Sequence, residues 1–343
     1  MNLPIITLLL FLSCTTFAQK IHEPAEIFEI LEKSKLNYNI QQLEDNIPVK
    51  DHTLNLNTGD YYRKAEANSI MTMKVELSEQ TFSIKEKAEK YFREQNYSAA
   101  RKMYEEVLEI HPEYSKIITY IGQTYHSQGE PKKAIEYFKK AINNNYLDYM
   151  AHWFLGKYYL ENNQPNKAID EIITAHILNR NHILIKKDLA TVLRKLGYKF
   201  EDWTFTPQIK ISQPDSQNVK IGFKSEWAGY AFAKAVWAYE PNYKKSMGVK
   251  EDGISILEEK ESLLGLYVGN INNKKFAKTP MFIALKNSIK NRQFDEFILY
   301  EIFIVETPFI AYQFPKELIL KIKKYILESR CKFSKKKQKR KKR

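Results

Sequence analysis

The sequence predicts an all-α protein, a helical-hairpin solenoid followed by an α-helical C-terminal domain. Three observations carry this. Residue types recur at an interval of 34 between residues 81 and 197, as a stacked helical array requires. Gly and Pro are scarce, 11 and 12 in 343 residues, which disfavours a turn-rich β architecture. Beyond residue 226 the apolar residues again keep helical spacing.

The chain begins MNLPIITLLLFLSCTTFAQK. Its apolar run, Leu3 to Leu12, is far short of the roughly 20 residues that span a bilayer. Thr16 and Ala18 fit signal-peptidase cleavage after Ala18, so residues 1–18 read as a signal peptide. The expected location is therefore exported: periplasm, cell envelope or secreted. Cys14 admits an alternative, because Leu12-Ser13-Cys14 resembles a bacterial lipoprotein box that would anchor the protein through a lipidated Cys14. Cys331 is the one other cysteine, so no disulfide framework or zinc cluster is available.

Residues 19–80 read as an N-terminal helical or irregular segment. HEPAEIFEILEKSKL forms an amphipathic helix with Ile27, Ile30 and Leu31 on one face. Asn57-Thr58-Gly59 signals a turn, and the alternation of Met71, Met73, Val75 and Leu77 suits either a strand or a helix leading into the repeats.

From 81 to 198 the columns are explicit. Ala88, Gly122 and Gly156 are spaced by 34, as are Tyr91, Tyr125 and Tyr159. Ala100, Ala134 and Ala168 repeat the interval, and so do Tyr104, Phe138 and Ile172. Small residues let two antiparallel helices approach, and the large ones fill the space between them. Gly129 supplies a permissive turn, Pro112 fits a repeat junction, and Pro131 and Pro165 open second helices. This pattern resembles the tetratricopeptide repeat family. The resemblance implies three hairpins, with ILIKKDLATVLRKLGY (183–198) as a capping helix. Trp153 falls one position past the usual tryptophan, and the junction proline is missing from the second and third copies.

The same resemblance implies a concave groove, lined by the first helices, that holds a protein or peptide partner. Its register places Lys85, Glu89, Phe92 and Arg93 there, then Gln123 and His126, then Trp153, Lys157, Lys187 and Arg194. Trp153 and Phe92 are the favoured anchors, because aromatics in a groove dominate binding energy; either also suits a core. The clamp for a C-terminal carboxylate found in some such arrays is not supported. Lys85 matches one of its positions, but Glu89, Tyr120, Met150 and Phe154 occupy the others.

Residues 199–225, with two prolines, read as an irregular linker over the end of the stack. Residues 226–330 read as an α-helical domain of no recognised family, in which 294–312 forms the central core helix. WAGYAFAKAVWAYEPNY gathers Trp227, Tyr230, Trp237, Tyr239 and Tyr243 around Lys234, and a packed helix face is the favoured reading. The competing view is an envelope enzyme or ligand-binding protein, with Lys234, Glu226 and Glu240 as its candidates. No HExxH, GxSxG or Gly-rich phosphate loop occurs, and the seven histidines show no metal-binding spacing, so no catalysis, metal or cofactor is expected. Lastly, 331–343 reads as a disordered basic tail. Residues 332–343 hold nine Lys or Arg, and without them the net charge of +13 falls to an ordinary +4. A solvated extension is expected, with weak electrostatic contact to an anionic envelope surface as the alternative. Nucleic acid is disfavoured, and the protein is not expected to be integral to the membrane.

Overall fold

The computed structural model describes residues 21–52, 60–66, 69–250 and 255–333. The leader with Cys14, the turn at Asn57-Thr58-Gly59 and the tail from Ser334 onward lie outside the described residues. The chain opens with α1 (Pro24–Lys33) and β1 (Asn37–Gln42), then β2 (Tyr61–Glu66) and β3 (Ser69–Lys74). Seven helices follow: α2 (Glu79–Arg93), α3 (Tyr97–Ile110), α4 (Ser115–Ser127), α5 (Pro131–Asn144), α6 (Tyr149–Glu161), α7 (Pro165–Leu178) and α8 (Ile183–Leu196). Next come β4 (Tyr198–Lys199), β5 (Ile209–Ser212), β6 (Asn218–Phe223), α9 (Ala228–Tyr239), α10 (Tyr243–Ser246), α11 (Ile256–Asn270) and α12 (Pro280–Lys290). The last elements are α13 (Phe294–Ile298), α14 (Ile304–Glu306), α15 (Lys316–Tyr325) and β7 (Lys332–Phe333).

The helical solenoid runs from α2 to α8, as the period demanded. Each reversal inside a hairpin passes through one residue of positive φ: Gln95 at 62°, Gly129 at 78° and Asn163 at 53°. These positions are 34 apart, and the next in the series, Gly197 at 88°, closes α8. Ser78, Asn96 and Asp148 cap α2, α3 and α6 by accepting backbone N–H groups, and Pro131 and Pro165 open α5 and α7. The small column meets the large one directly. A methyl added at Gly122 would lie 2.7 Å from the Phe138 ring, and one at Gly156 would lie 2.6 Å from the Ile172 side chain. Ala88, Ala100, Ala134 and Ala168 are completely buried. Burying Phe138 in such a seam contributes about 2 kcal/mol.

By packing, the chain divides into two units: the described part of Met1–Leu43 with Ile209–Val268, and Glu44–Gln208 with Gly269–Arg343. This differs from the linear division in three respects, the first being that the helical domain expected at 226–330 is divided after Val268, its remainder belonging to the unit of the array. Residues 199–225, expected to be irregular, contribute β5 and β6, whose alternating Ile209, Ile211 and Val219, Ile221 turn one face inward. They also recruit the N-terminal segment, because β1 pairs in parallel with β6.

Within the array unit, β2 and β3 form an antiparallel hairpin, so the strand reading of Met71 and Met73 is the one realised. The expected core helix at 294–312 is instead α13, a π-helical turn at Leu299–Phe303, α14 and a 3-10 segment at Pro308–Gln313. Two causes act together. Pro308 lacks an N–H, and the buried Glu301 turns inward to take Arg330 at 2.8 Å, Arg180 at 3.4 Å and the Tyr325 hydroxyl at 2.8 Å. Helix α15 backs α7, where Lys323 approaches Asp170 at 4.0 Å. Strands β4 and β7 pair antiparallel and set Tyr198 against Phe333.

The other unit is a three-stranded sheet, order β1-β6-β5, covered on one face by α9. Helices α1, α9 and α10 share a second cluster built on Ile27, Val236, Trp237 and Met247. Here carboxylates organise the interior. Glu261 accepts from Trp237 Nε1 at 2.7 Å, the Tyr243 hydroxyl at 2.8 Å and the His22 backbone at 2.6 Å. Glu240 accepts from Ser34 and Tyr38, and Glu259 accepts from Tyr230. Helices α9 and α11 cross where Gly229 and Gly265 oppose each other with backbone against backbone.

Candidate functional site

The first helices of the hairpins present a row of side chains, and the chain itself has already used part of it. Lys85 is buried and bridges to Glu89 at 2.9 Å and to Glu86 at 3.2 Å. Burial works against its charge, but the two carboxylates outweigh it and hold Lys85 above the ordinary lysine value. Phe92 packs edge-on against Tyr97 and leans on the core cluster of the first repeat. It serves the interior more than the surface. Arg93 and His126 are exposed.

Sequence reasoning missed Lys116, at the start of α4. It is 6% exposed and lies 3.2 Å from Asp60, which also accepts from the Tyr114 hydroxyl. Asn145 donates to the Tyr61 carbonyl, and Arg63 donates to the carbonyls of Tyr312 and Phe314. The β2–β3 hairpin thus fastens the start of α4 to the segment at 308–314. The signal for this lay in Asp60 and Arg63, two opposite charges beside a turn, which have no periodicity to announce them.

The open part of the row lies on α6 and α8. Trp153 is half-buried, and its Nε1 donates to the Asp188 carboxylate at 2.7 Å, which fixes the ring across the two helices. The Lys157 ammonium stands 5.6 Å from the ring centroid and His182 meets the ring edge at 5.0 Å. Burial holds His182 below the usual histidine range, so it is neutral at physiological pH. Ile183 and Leu184 open α8 with exposures of 71% and 51%, and Lys187 and Arg194 follow on the exposed side. The exposed apolar pair and the two cations thus share α8 with Asp188, which holds the Trp153 ring. Trp153, Lys157, Lys187 and Arg194 therefore fall on neighbouring helices, whereas Lys85 and Phe92 are engaged within the first hairpin.

The aromatic stretch of the other unit is a packed helix face. Trp227 and Trp237 are 5% and 1% exposed, and Lys234 pairs with Glu258 at 2.8 Å and with Glu259. Of the other two named candidates, Glu240 is held by Ser34 and Tyr38, and Glu226 accepts from the Ser225 hydroxyl at 3.4 Å. Among the described residues no group of three or more His, Cys, Asp or Glu is arranged to hold a metal ion. None of the described helices is long and apolar enough to cross a membrane.

Two tetratricopeptide repeat families match the chain, one over residues 91–148 and one over 121–180. Residues 91–180 thus match tetratricopeptide repeats. Solved structures similar to it include the first tetratricopeptide domain of Spaghetti bound to an HSP90 peptide. That pair has 19% identity, coverage of 35% of this chain and 95% of the other, and a TM-score of 0.32. The Yersinia enterocolitica type III secretion chaperone SycD, in complex with a peptide of the translocator YopD, has 13% identity, covers 35% and 97%, and scores 0.32. The Sgt2 tetratricopeptide domain of Aspergillus fumigatus has 20% identity, covers 35% and 80%, and scores 0.32. No curated protein matches the chain.

Proposed function

We propose that this protein is an exported scaffold whose tetratricopeptide array holds a protein or peptide partner against α6 and α8, without catalysis of its own. The carrying observation is Trp153. A large aromatic is left half-open, held by the Asp188 carboxylate and the His182 ring, with the Lys157 ammonium 5.6 Å from its centroid. A ring held in one orientation loses little freedom when a partner covers it, and buried aromatic anchors supply most of the energy of such interfaces. Export is supported by the apolar run and the Thr16 and Ala18 pattern of the leader, with a lipidated Cys14 as the second form of it. The basic tail fits a weak hold on an anionic envelope surface.

The test places a photo-reactive residue at Leu184 and, as a control, at the exposed Glu136 on α5, in cells of the native host. The reading expects a discrete adduct from position 184 that disappears with Trp153→Ala and is missing from position 136. Equal adducts from both positions, or insensitivity to Trp153→Ala, would reject it. N-terminal sequencing of the mature chain checks export, with Gln19 the expected first residue.

A further inference from the structure

Helix α8 starts on an unusual cap. Asn, Asp, Ser and Thr ordinarily accept the free N–H groups of a first helical turn. Here the cap is His182, whose Nδ1 accepts from the Ile185 N–H at 3.4 Å. Ile185 is completely buried, so its N–H depends on this acceptor. Accepting at Nδ1 fixes the tautomer, because that nitrogen is then without a proton. A Ser or Asn keeps such a role at any pH, whereas a histidine gives it up on protonation. The same ring belongs to the Trp153 site. The His182 and Trp153 rings meet edge-on with centroids 5.0 Å apart, and Tyr149 lies 6.1 Å from the imidazole. Asp188 accepts from Trp153 Nε1 at 2.7 Å, and its charge also favours a proton on His182. One carboxylate thus serves a ring that is held still and a ring that can become charged.

We propose that His182 is a proton switch on the Trp153 site. Neutral, it caps α8 and leaves Asp188 to Trp153 Nε1. A solvent proton taken up at Nδ1 ends the bond from Ile185 and draws the Asp188 carboxylate from the indole toward the imidazolium. On the reading that a partner covers Trp153, acid then loosens that partner by freeing the ring it rests on. The surrounding charges permit this. On α6, burial keeps Tyr149 neutral, and Lys157 stands over the Trp153 ring. His176 on α7 is held neutral by burial, and Arg180 in the next turn is engaged by Glu301 at 3.4 Å. Lys186 on α8 pairs with Asp202, which leaves Asp188 as the carboxylate that answers His182. Burial lowers the affinity of His182 for its proton. The capped form is therefore complete above about pH 6.5 and is lost as the pH falls below it.

Magnetic resonance of the full chain, labelled with nitrogen-15 at Ile and Trp, reads the switch with no partner present. Ile185→Val and Trp153→Phe identify the two signals by their loss. The Ile185 amide and the Trp153 indole N–H should shift along one titration curve with its midpoint below pH 6.5. Both should be flat in His182→Asn, whose amide oxygen caps the helix without titrating. Flat signals in the unaltered protein would overturn the proposal. So would a titration that persists in His182→Asn, which would assign the proton to His176 or Asp188. With the photo-reactive residue at position 184 in host lysate, the adduct should fall on the order of fivefold between pH 7.5 and pH 5, the ratio that loss of one helix cap gives. It should stay level across that range in His182→Asn, and an equal fall in both proteins would reject control of the partner by His182. No adduct at either pH rejects the partner reading instead, and the two resonances still decide the switch.

Discussion

The tetratricopeptide array and the sheet unit both bury glycines between helices, but they use them differently. In the array, Gly122 and Gly156 leave room for a side chain from the same hairpin, Phe138 or Ile172. In the sheet unit, Gly229 and Gly265 leave room for each other's backbone. A side chain can change rotamer to admit a methyl group, whereas a backbone carbonyl moves only with its helix. The array is held by packing that recurs along the chain. The sheet unit is held by single, unrepeated contacts, many of them to buried carboxylates.

The strongest way to separate the two modes is Glu261→Leu. It leaves Trp237 Nε1 and the His22 backbone N–H without their acceptor and the Tyr243 hydroxyl with His22 Nδ1 alone, at a cost of roughly 4 kcal/mol. Chemical denaturation followed by Trp fluorescence measures it, and a loss below that of the glycine variants would break the contrast. Next, Gly229→Ala should cost about 3 kcal/mol, because the methyl runs into the Gly265 carbonyl. Gly122→Ala should cost about 1–2 kcal/mol, since Phe138 can shift and alanine favours the helix. Equal losses would mean the array seam is as rigid as the backbone crossing.

A smaller effect comes from pH. Burial, with Arg180 beside it at 3.3 Å, holds His176 well below the usual histidine range. The unfolded chain takes up a proton near pH 6.5 that the folded chain refuses. The stability from this site is therefore full above that pH and falls by about 1.4 kcal/mol per pH unit below it. Thermal melts of His176→Gln across this range should show a shallower acid loss than the unaltered protein. The smallest effect is chemical. Cys331 is buried and its thiol is pushed up to about 12, so a maleimide should label it only after denaturation.

The array was legible because each hairpin restates its own rules. Four columns at one interval located the small and large partners, and the turn residues Gln95, Gly129 and Asn163 obey the same interval. The sheet unit offered no such redundancy. Strand β1 reads NYNIQQ, a composition that suggests a loop, and it becomes a strand because Val219 and Ile221 lie alongside it. Among the candidate residues, the places of Trp153 and Lys157 on α6 followed from register alone. The burial of Lys116 did not, because its partner Asp60 lies outside the repeats. Glu301 likewise interrupts an apolar run that looks like an unbroken helix until Arg180 and Arg330 arrive from distant segments.

The pairing of β1 with β6 also sets an order of events during synthesis. Asn37 finds Asn218 only after every residue of the array has been made. At translation speeds of about 5–20 residues per second that interval lasts on the order of ten seconds, long enough for local helical hairpins to form first. The earliest part of the described chain must therefore wait, unpaired, while the repeats behind it fold.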